Sequence, residues 1–166
     1  MGKDGKVAIT EGYLYDMLPV DSIIRTAKAT GQQIMDWLEK ELQNVFAQDA
    51  SKRFGGWLIR FKGMQVEFKA FEKNSQRVQK VIIDNNLLDL TKSYTLCERE
   101  GDPNDMLCRM KGVKGGTNTD FTLHSMMKEY LQKFSPITPI LRQDAKILDA
   151  SQELLSQVSG VDYKFV

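Results

Sequence analysis

The sequence predicts an α+β fold: a mixed sheet with flanking helices, in one domain whose core runs over roughly residues 7–150 of the 166. Three observations carry that expectation. Apolar residues recur at helical spacing in two long stretches, one ending at Phe46 and one at Phe134. Between Met64 and Ala70 apolar and polar residues alternate strictly, the period of a half-buried strand. Helical and extended stretches also interleave without the regular alternation of a doubly wound α/β chain.

Taken in order, Thr10 is placed to cap a short helix, with Ile9 set to staple onto Leu14. Leu14, Met17 and Leu18 fall on one face, and Pro19 ends the helix. An extended segment follows from Ser22 to Thr30. Thr30 and Gln33 have the spacing of a capping box, in which each side chain bonds the other's backbone N–H. The helix they open carries Ile34, Trp37, Leu38, Leu42, Val45 and Phe46 on its inner face, with Trp37 as a core anchor and Glu39, Lys40 and Glu41 mostly towards water. After a polar loop and the pair Gly55-Gly56 come strands at Trp57–Phe61, Met64–Ala70 and Arg77–Asp84. Asp84-Asn85-Asn86 is a turn signal, and Leu87 to Cys97 reads as the returning strand. The stretch from Glu98 to Thr119 is the longest without a period. A helix follows with Leu123, Met126, Met127, Tyr130, Leu131 and Phe134 on one face, closed by Pro136 and Pro139. A strand within Ile140–Leu148 and a last helix over Ser151–Val158, with Gly160 past its end, complete the reading.

Composition excludes several classes. The 23 Lys and Arg nearly balance 22 Asp and Glu, so the basic excess of nucleic-acid readers is missing. No apolar run is long enough to span a bilayer, and Met1-Gly-Lys-Asp-Gly-Lys lacks the apolar region of a signal peptide. The chain has one histidine, His124, in a helical stretch beside the apolar stripe. A two-metal phosphoesterase centre needs several His and Asp ligands, and one histidine does not supply them. His124 therefore reads as a helix-surface or boundary residue. Cys97 and Cys108 allow at most one bridge, which would staple the loop between them, and they lack zinc-finger spacing; free thiols are the slightly favoured reading.

That loop, Cys97 to Arg109, is dense in charge. Arg99 and Arg109 are able to hold an anionic group through planar bidentate hydrogen bonds, with Asp102 and Asp105 orienting them or accepting from a polar ligand. The competing reading has these charges cap strand ends, pair with one another and face water. Gly55-Gly56 serves a backbone bend rather than a phosphate loop, since no Lys-Ser/Thr follows.

Three segments in order resemble the C-terminal domain of the 5'-nucleotidase family. Ile9 through Leu18-Pro19, on through Ile23-Ile24 to Thr30-Gly31, is similar to that family's helix, Leu-Pro-Phe turn, strand and Thr-Gly helix start. Gly55-Gly56-Trp57-Leu58 through Phe68 resembles its Gly-Gly-Phe-Leu block, and Arg77 through Leu96 its hairpin before the substrate loop. Together these segments span about residues 7 to 135. The resemblance implies a parent hydrolase of phosphoester bonds, periplasmic or at the cell surface, with an N-terminal metallophosphoesterase domain outside this chain. That domain would hold two divalent metal ions; this chain would hold none and would recognise a small anionic substrate such as a nucleotide. The resemblance also places the recognition loop at Arg99, Asp102, Asp105 and Arg109. The family stacks a nucleobase between two aromatic rings. Here Ile23 or Ile24 stands at the first position, and no Gly-Gly-Asp-Gly-aromatic motif follows the hairpin. In this the chain is similar to the thiosulfohydrolase branch, which keeps the architecture for other leaving groups. A domain retained only for structure or docking is the remaining alternative.

Overall fold

The computed structural model describes residues 6–54, 61–99, 110, 112–113, 116–138 and 144–149, with the side chain of residue 99 outside that description. Among the described residues it is an α+β chain of three helices and seven strands. The chain divides into two compact units, Met1–Ile34 with Leu90–Arg142 and Met35–Asp89 with Gln143–Val166.

In the first unit, helix α1 (Glu11–Met17) opens where Thr10 accepts the Tyr13 N–H at 3.1 Å, as its sequence position predicts. Only Leu14 of this helix is buried; Met17 is exposed, because about two turns offer a narrow face. Strand β1 (Ile23–Thr30) lies at the centre of a three-stranded antiparallel sheet, between β5 (Ser93–Arg99) and β6 (Thr117–Thr122). Helix α2 (Gly31–Phe46) follows at once. The Thr30 N–H donates to Gln33 Oε1 at 2.8 Å and the Gln33 N–H to Thr30 Oγ1 at 3.2 Å, so the predicted capping box forms. Gly31 and Gln32 donate to the carbonyls of Lys92 and Leu90, which satisfies two more of the amides a helix start leaves bare.

Helix α3 (Leu123–Phe134) occupies its predicted position and is capped reciprocally by Thr122 and Ser125. Its predicted inner face is only partly covered. The buried residue is His124, while Met126, Tyr130 and Phe134 are exposed. At 100° per residue the six apolar positions span about 140°, and only the edge beside His124 is turned inward. The expectation of a surface or boundary histidine is thereby corrected.

In the second unit, α2 packs on a mixed sheet of order β4-β3-β2-β7. Strands β2 (Met64–Phe68), β3 (Val78–Ile83) and β4 (Asn86–Leu87) run antiparallel in turn, and β7 (Ala145–Ile147) joins β2 in parallel. The alternation in β2 buries Val66 and Phe68 against Trp37, Leu38 and Leu42. Asp84 and Asn85 both take positive φ, 51° and 62°, the backbone of a tight two-residue hairpin turn. Leu87 to Cys97 is not one strand. It leaves the second unit after β4, and β5 begins six residues later in the first. Glu39 is also not on the wet side: it is buried and accepts the Val78 N–H at 2.7 Å. Beside it Arg77, 2% exposed, spends its guanidinium on Gln43 Oε1 and the carbonyls of Ala70 and Phe46. The predicted strand at Trp57–Phe61 lies outside the described residues but for Phe61, and the last helix, Ser151–Val158, lies wholly outside them.

Candidate functional site

The candidate site is the edge of the first unit's sheet from which the charged loop springs. Register fixes both ends of that loop. Arg99 closes β5 opposite Ile24, and β6 resumes with Thr117 opposite Thr26 and Asn118 opposite Arg25. The two ends therefore straddle the same three residues of β1. The loop is anchored inside the unit, since Met110 and Val113 are both buried and the Val113 N–H donates to the Met110 carbonyl. Between them Gly112 has φ 81°, and a Cβ there would lie 3.1 Å from Gln33 Nε2, so a side chain is disfavoured twice.

Of the four predicted site residues, Arg99 is placed by its backbone at the end of β5. Asp102, Asp105 and Arg109 lie outside the described residues, as does Cys108. Cys97 is a free, exposed thiol. Burial pushes its thiol pKa up, and the charge of Glu98 adds to the shift.

Sequence reading missed an ion pair at the stem. Arg25 is only 4% exposed, and its Nη2 sits 3.1 Å from Glu98 Oε1. Its Nε has no hydrogen-bond partner among the described residues. An arginine in a strand that alternates reads as solvated. Here β1 keeps an unbroken register with β5 through Ile24, Arg25 and Thr26, so Arg25 lies on the opposite face to Ile24 and directly across from Glu98. Both residues of this central strand are buried, and the register shift between Ile23 and Arg25 takes up extra residues in β6. The Thr119 hydroxyl, which donates to the Ile24 carbonyl at 2.9 Å, covers the same irregularity.

The turn after Leu18-Pro19 is held against the start of α3. The Leu123 N–H donates to the Ser22 carbonyl at 2.9 Å and the His124 N–H to Asp21 Oδ1 at 2.8 Å. His124 Nε2 is 2.6 Å from the Leu18 carbonyl, which makes it the protonated nitrogen of the ring, and Tyr15 packs edge-on against the imidazole at 4.2 Å. Nδ1 lies 3.6 Å from Asp21 Oδ1, beyond hydrogen-bond length. The backbone N–H of His124 is the main cause holding the Asp21 carboxyl below the usual range; burial opposes it and the Thr122 side chain adds to it. The turn presents Val20, exposed, and no aromatic ring. Ile24 is in the core.

Among the described residues no group of three or more His, Cys, Asp or Glu is arranged to hold a metal ion. The residues present do not fit a two-metal centre: the one histidine is 2% exposed and its Nε2 is committed to a backbone carbonyl. A shallow apolar hollow, open to solvent, lies in the second unit beside Trp37, Leu42, Phe61 and Phe68. Among the described residues its one charged wall is Glu41, which offers an anion no anchor.

The family model for the 5'-nucleotidase C-terminal domain matches residues 2–99 of this chain. A sulfate thiohydrolase SoxB of Thermus thermophilus, solved with glycerol, superposes with a TM-score of 0.68 at 22% identity over 87% of this chain and 26% of its own. A 5'-nucleotidase precursor, also from Thermus thermophilus, gives 0.64 at 20% identity, over 86% and 28%. The NAD nucleotidase of Haemophilus influenzae gives 0.59 at 15%, over 84% and 26%. The chain thus spans little more than a quarter of each of these solved proteins, and at such identities the likeness is one of fold. Among curated proteins none matches.

Proposed function

Because the chain belongs to the 5'-nucleotidase C-terminal domain family, we propose that it is the substrate-recognising part of a two-domain, metal-dependent phosphoester hydrolase and is inactive alone. The observation that carries this reading is the site itself. The chain's single histidine is built into the turn at Leu18, while the charged stretch after Cys97 leaves the sheet beside the Arg25–Glu98 ion pair. Such a sheet edge supplies orientation and charge rather than metal ligands. On this reading Arg99 and Arg109 hold the anionic substrate and Asp102 and Asp105 orient them. Two divalent ions in a preceding metallophosphoesterase domain, this domain's own partner, supply the hydrolytic chemistry. A nucleotide is the substrate class the family suggests, with the parent periplasmic or at the cell surface. No described helix is long and apolar enough to cross a membrane.

One observation favours a second reading, a thiosulfohydrolase-like parent with a non-nucleotide leaving group. Neither position that would carry the first stacking ring is aromatic, and Ile24 is in the core rather than at the surface. The test is a thermal-shift titration of the chain with AMP, a UDP-sugar and thiosulfate, beside a turnover assay in manganese or zinc. The recognition reading expects stabilisation by one of these anions without turnover. Enzyme-like hydrolysis by the chain alone, or no stabilisation by any of them, would sink it. Stabilisation by thiosulfate and not by AMP selects the second reading.

A further inference from the structure

The exposed edge of α3 carries an inference separate from substrate recognition. Met126, Tyr130 and Phe134 are 42%, 45% and 52% exposed. They follow one another at four-residue steps, so they form a stripe about 12 Å long on one side of the helix. The Tyr130 and Phe134 rings touch, with centroids 4.8 Å apart. Beside the stripe stand two exposed charges one turn apart, Glu129 and Lys133, the latter with its Nζ 5.4 Å from the Phe134 ring centre. A helix surface is convex and does not enclose a small molecule. What fits an apolar stripe on a helix is another helix with a matching stripe.

We propose that this edge is a self-association surface on which α3 of a second copy lies antiparallel about a two-fold axis. The order of the charges argues for the second copy and for its direction. With the axis passing beside Leu131, Glu129 of one copy faces Lys133 of the other, and the relation repeats on the far side of the axis. Two reciprocal ion pairs then flank the aromatic contact. A parallel pair in register would put Glu129 and Lys133 of the two copies on opposite sides of the contact and form neither pair. The formal net charge of +1 puts little general repulsion between copies. The contact is small. Side chains of this size bury about 150–250 Å² when fully covered, so three that are about half exposed offer roughly 300 Å² per copy. That is below the standard interface and sets a weak dimer.

Sedimentation equilibrium on the chain, over a concentration range spanning about 5 μM to 1 mM, reads this directly. The expected result is a monomer–dimer equilibrium that Tyr130→Glu abolishes. Glu129→Lys and Lys133→Glu should each weaken it at least about threefold, and the double variant carrying both should restore it to within about twofold. All these side chains are exposed, and circular dichroism checks that each variant folds. A chain that stays monomeric throughout overturns the proposal and leaves the stripe to a different polypeptide. A dimer indifferent to Tyr130→Glu places the interface elsewhere, and a double swap that fails to rescue refutes the antiparallel register.

Discussion

Replacing Arg77 tests how the second unit ties α2 to its sheet. The side chain is 2% exposed and makes three bonds: Nη1 to Gln43 Oε1 at 2.6 Å, Nε to the Ala70 carbonyl at 3.2 Å, and Nη2 to the Phe46 carbonyl at 3.3 Å. Two of these acceptors belong to α2 and one to the end of the β2 segment, so one planar group closes the corner between them. Arg77→Met fills most of the volume but leaves all three acceptors without a donor. Bonds from a charged donor contribute about 1.5–3 kcal/mol each, and a buried acceptor left without a donor costs about 1–3 kcal/mol, offset in part because the buried charge is removed with the side chain. The loss expected for Arg77→Met is therefore about 3–5 kcal/mol, or a Tm lower by about 6–20 °C for a chain of this size. Arg77→Lys is the decisive control. It keeps the charge but reaches one acceptor where the guanidinium reaches three, so it should recover less than about a third of the loss. Urea unfolding followed by circular dichroism and by tryptophan fluorescence measures both. If Lys restores stability, charge rather than planar geometry holds the corner, and if Met costs under about 1 kcal/mol the corner is not held by Arg77 at all.

Three further outcomes follow from local geometry. Thr30→Ala removes the hydroxyl that accepts the Gln33 N–H and should cost about 1 kcal/mol in thermal unfolding; Thr30→Ser should be nearly neutral. Asp21 has its carboxyl held below the ordinary value of 3.8, so its contribution is complete above that value and is lost as pH falls through the lower folded value. Stability measured from pH 5 to pH 2 should therefore fall less steeply in Asp21→Asn than in the parent chain, and parallel curves would refute the assignment. The Cys97 thiol, raised by burial and by Glu98, should react with iodoacetamide at pH 8 more slowly than a free peptide cysteine, and Glu98→Gln should speed it up.

Much of the fold was legible because it is written in local chemistry. Thr30 with Gln33, and Asp84 with Asn85, act within a few residues of themselves, and both did what their spacing predicts. The alternation of β2 works the same way, since a single buried face fixes which residues point inward. The readings that failed depend on partners distant in sequence. Leu87 to Cys97 looks like one strand, but Leu88 is bonded to Val81 in one unit while the Leu90 carbonyl takes the Gln32 N–H in the other, and the chain changes sheets between them. Glu39 sits at the rim of the apolar face, about 20° beyond Phe46 on the helical wheel; the amide of Val78, thirty-nine residues on, is what draws it inward. The same holds at the candidate site. Charge density and the family resemblance mark the loop at Arg99, but Arg25 is buried across from Glu98, a cross-strand partner seventy-three residues on that the order of residues does not reveal.

The two halves of the site bear on each other through β1. The strand receives the loop stem on one side at Ile24–Thr26 and the return of the loop on the other, and it begins directly after the turn that His124 holds. A change in that turn therefore reaches the loop through at most two residues of continuous backbone, Ser22 and Ile23. This is a stiff connection: the Ser22 carbonyl accepts from Leu123 and the Ile24 carbonyl from the Thr119 hydroxyl, so both sides of Ile23 are tied down. A rigid platform is the arrangement in which the residues it carries can change what is recognised while the sheet stays the same. It accounts for how one architecture superposes on a sulfate thiohydrolase and on nucleotidases alike at 15–22% identity. The choice of leaving group, on the reading proposed above, is made in the residues between Arg99 and Arg109.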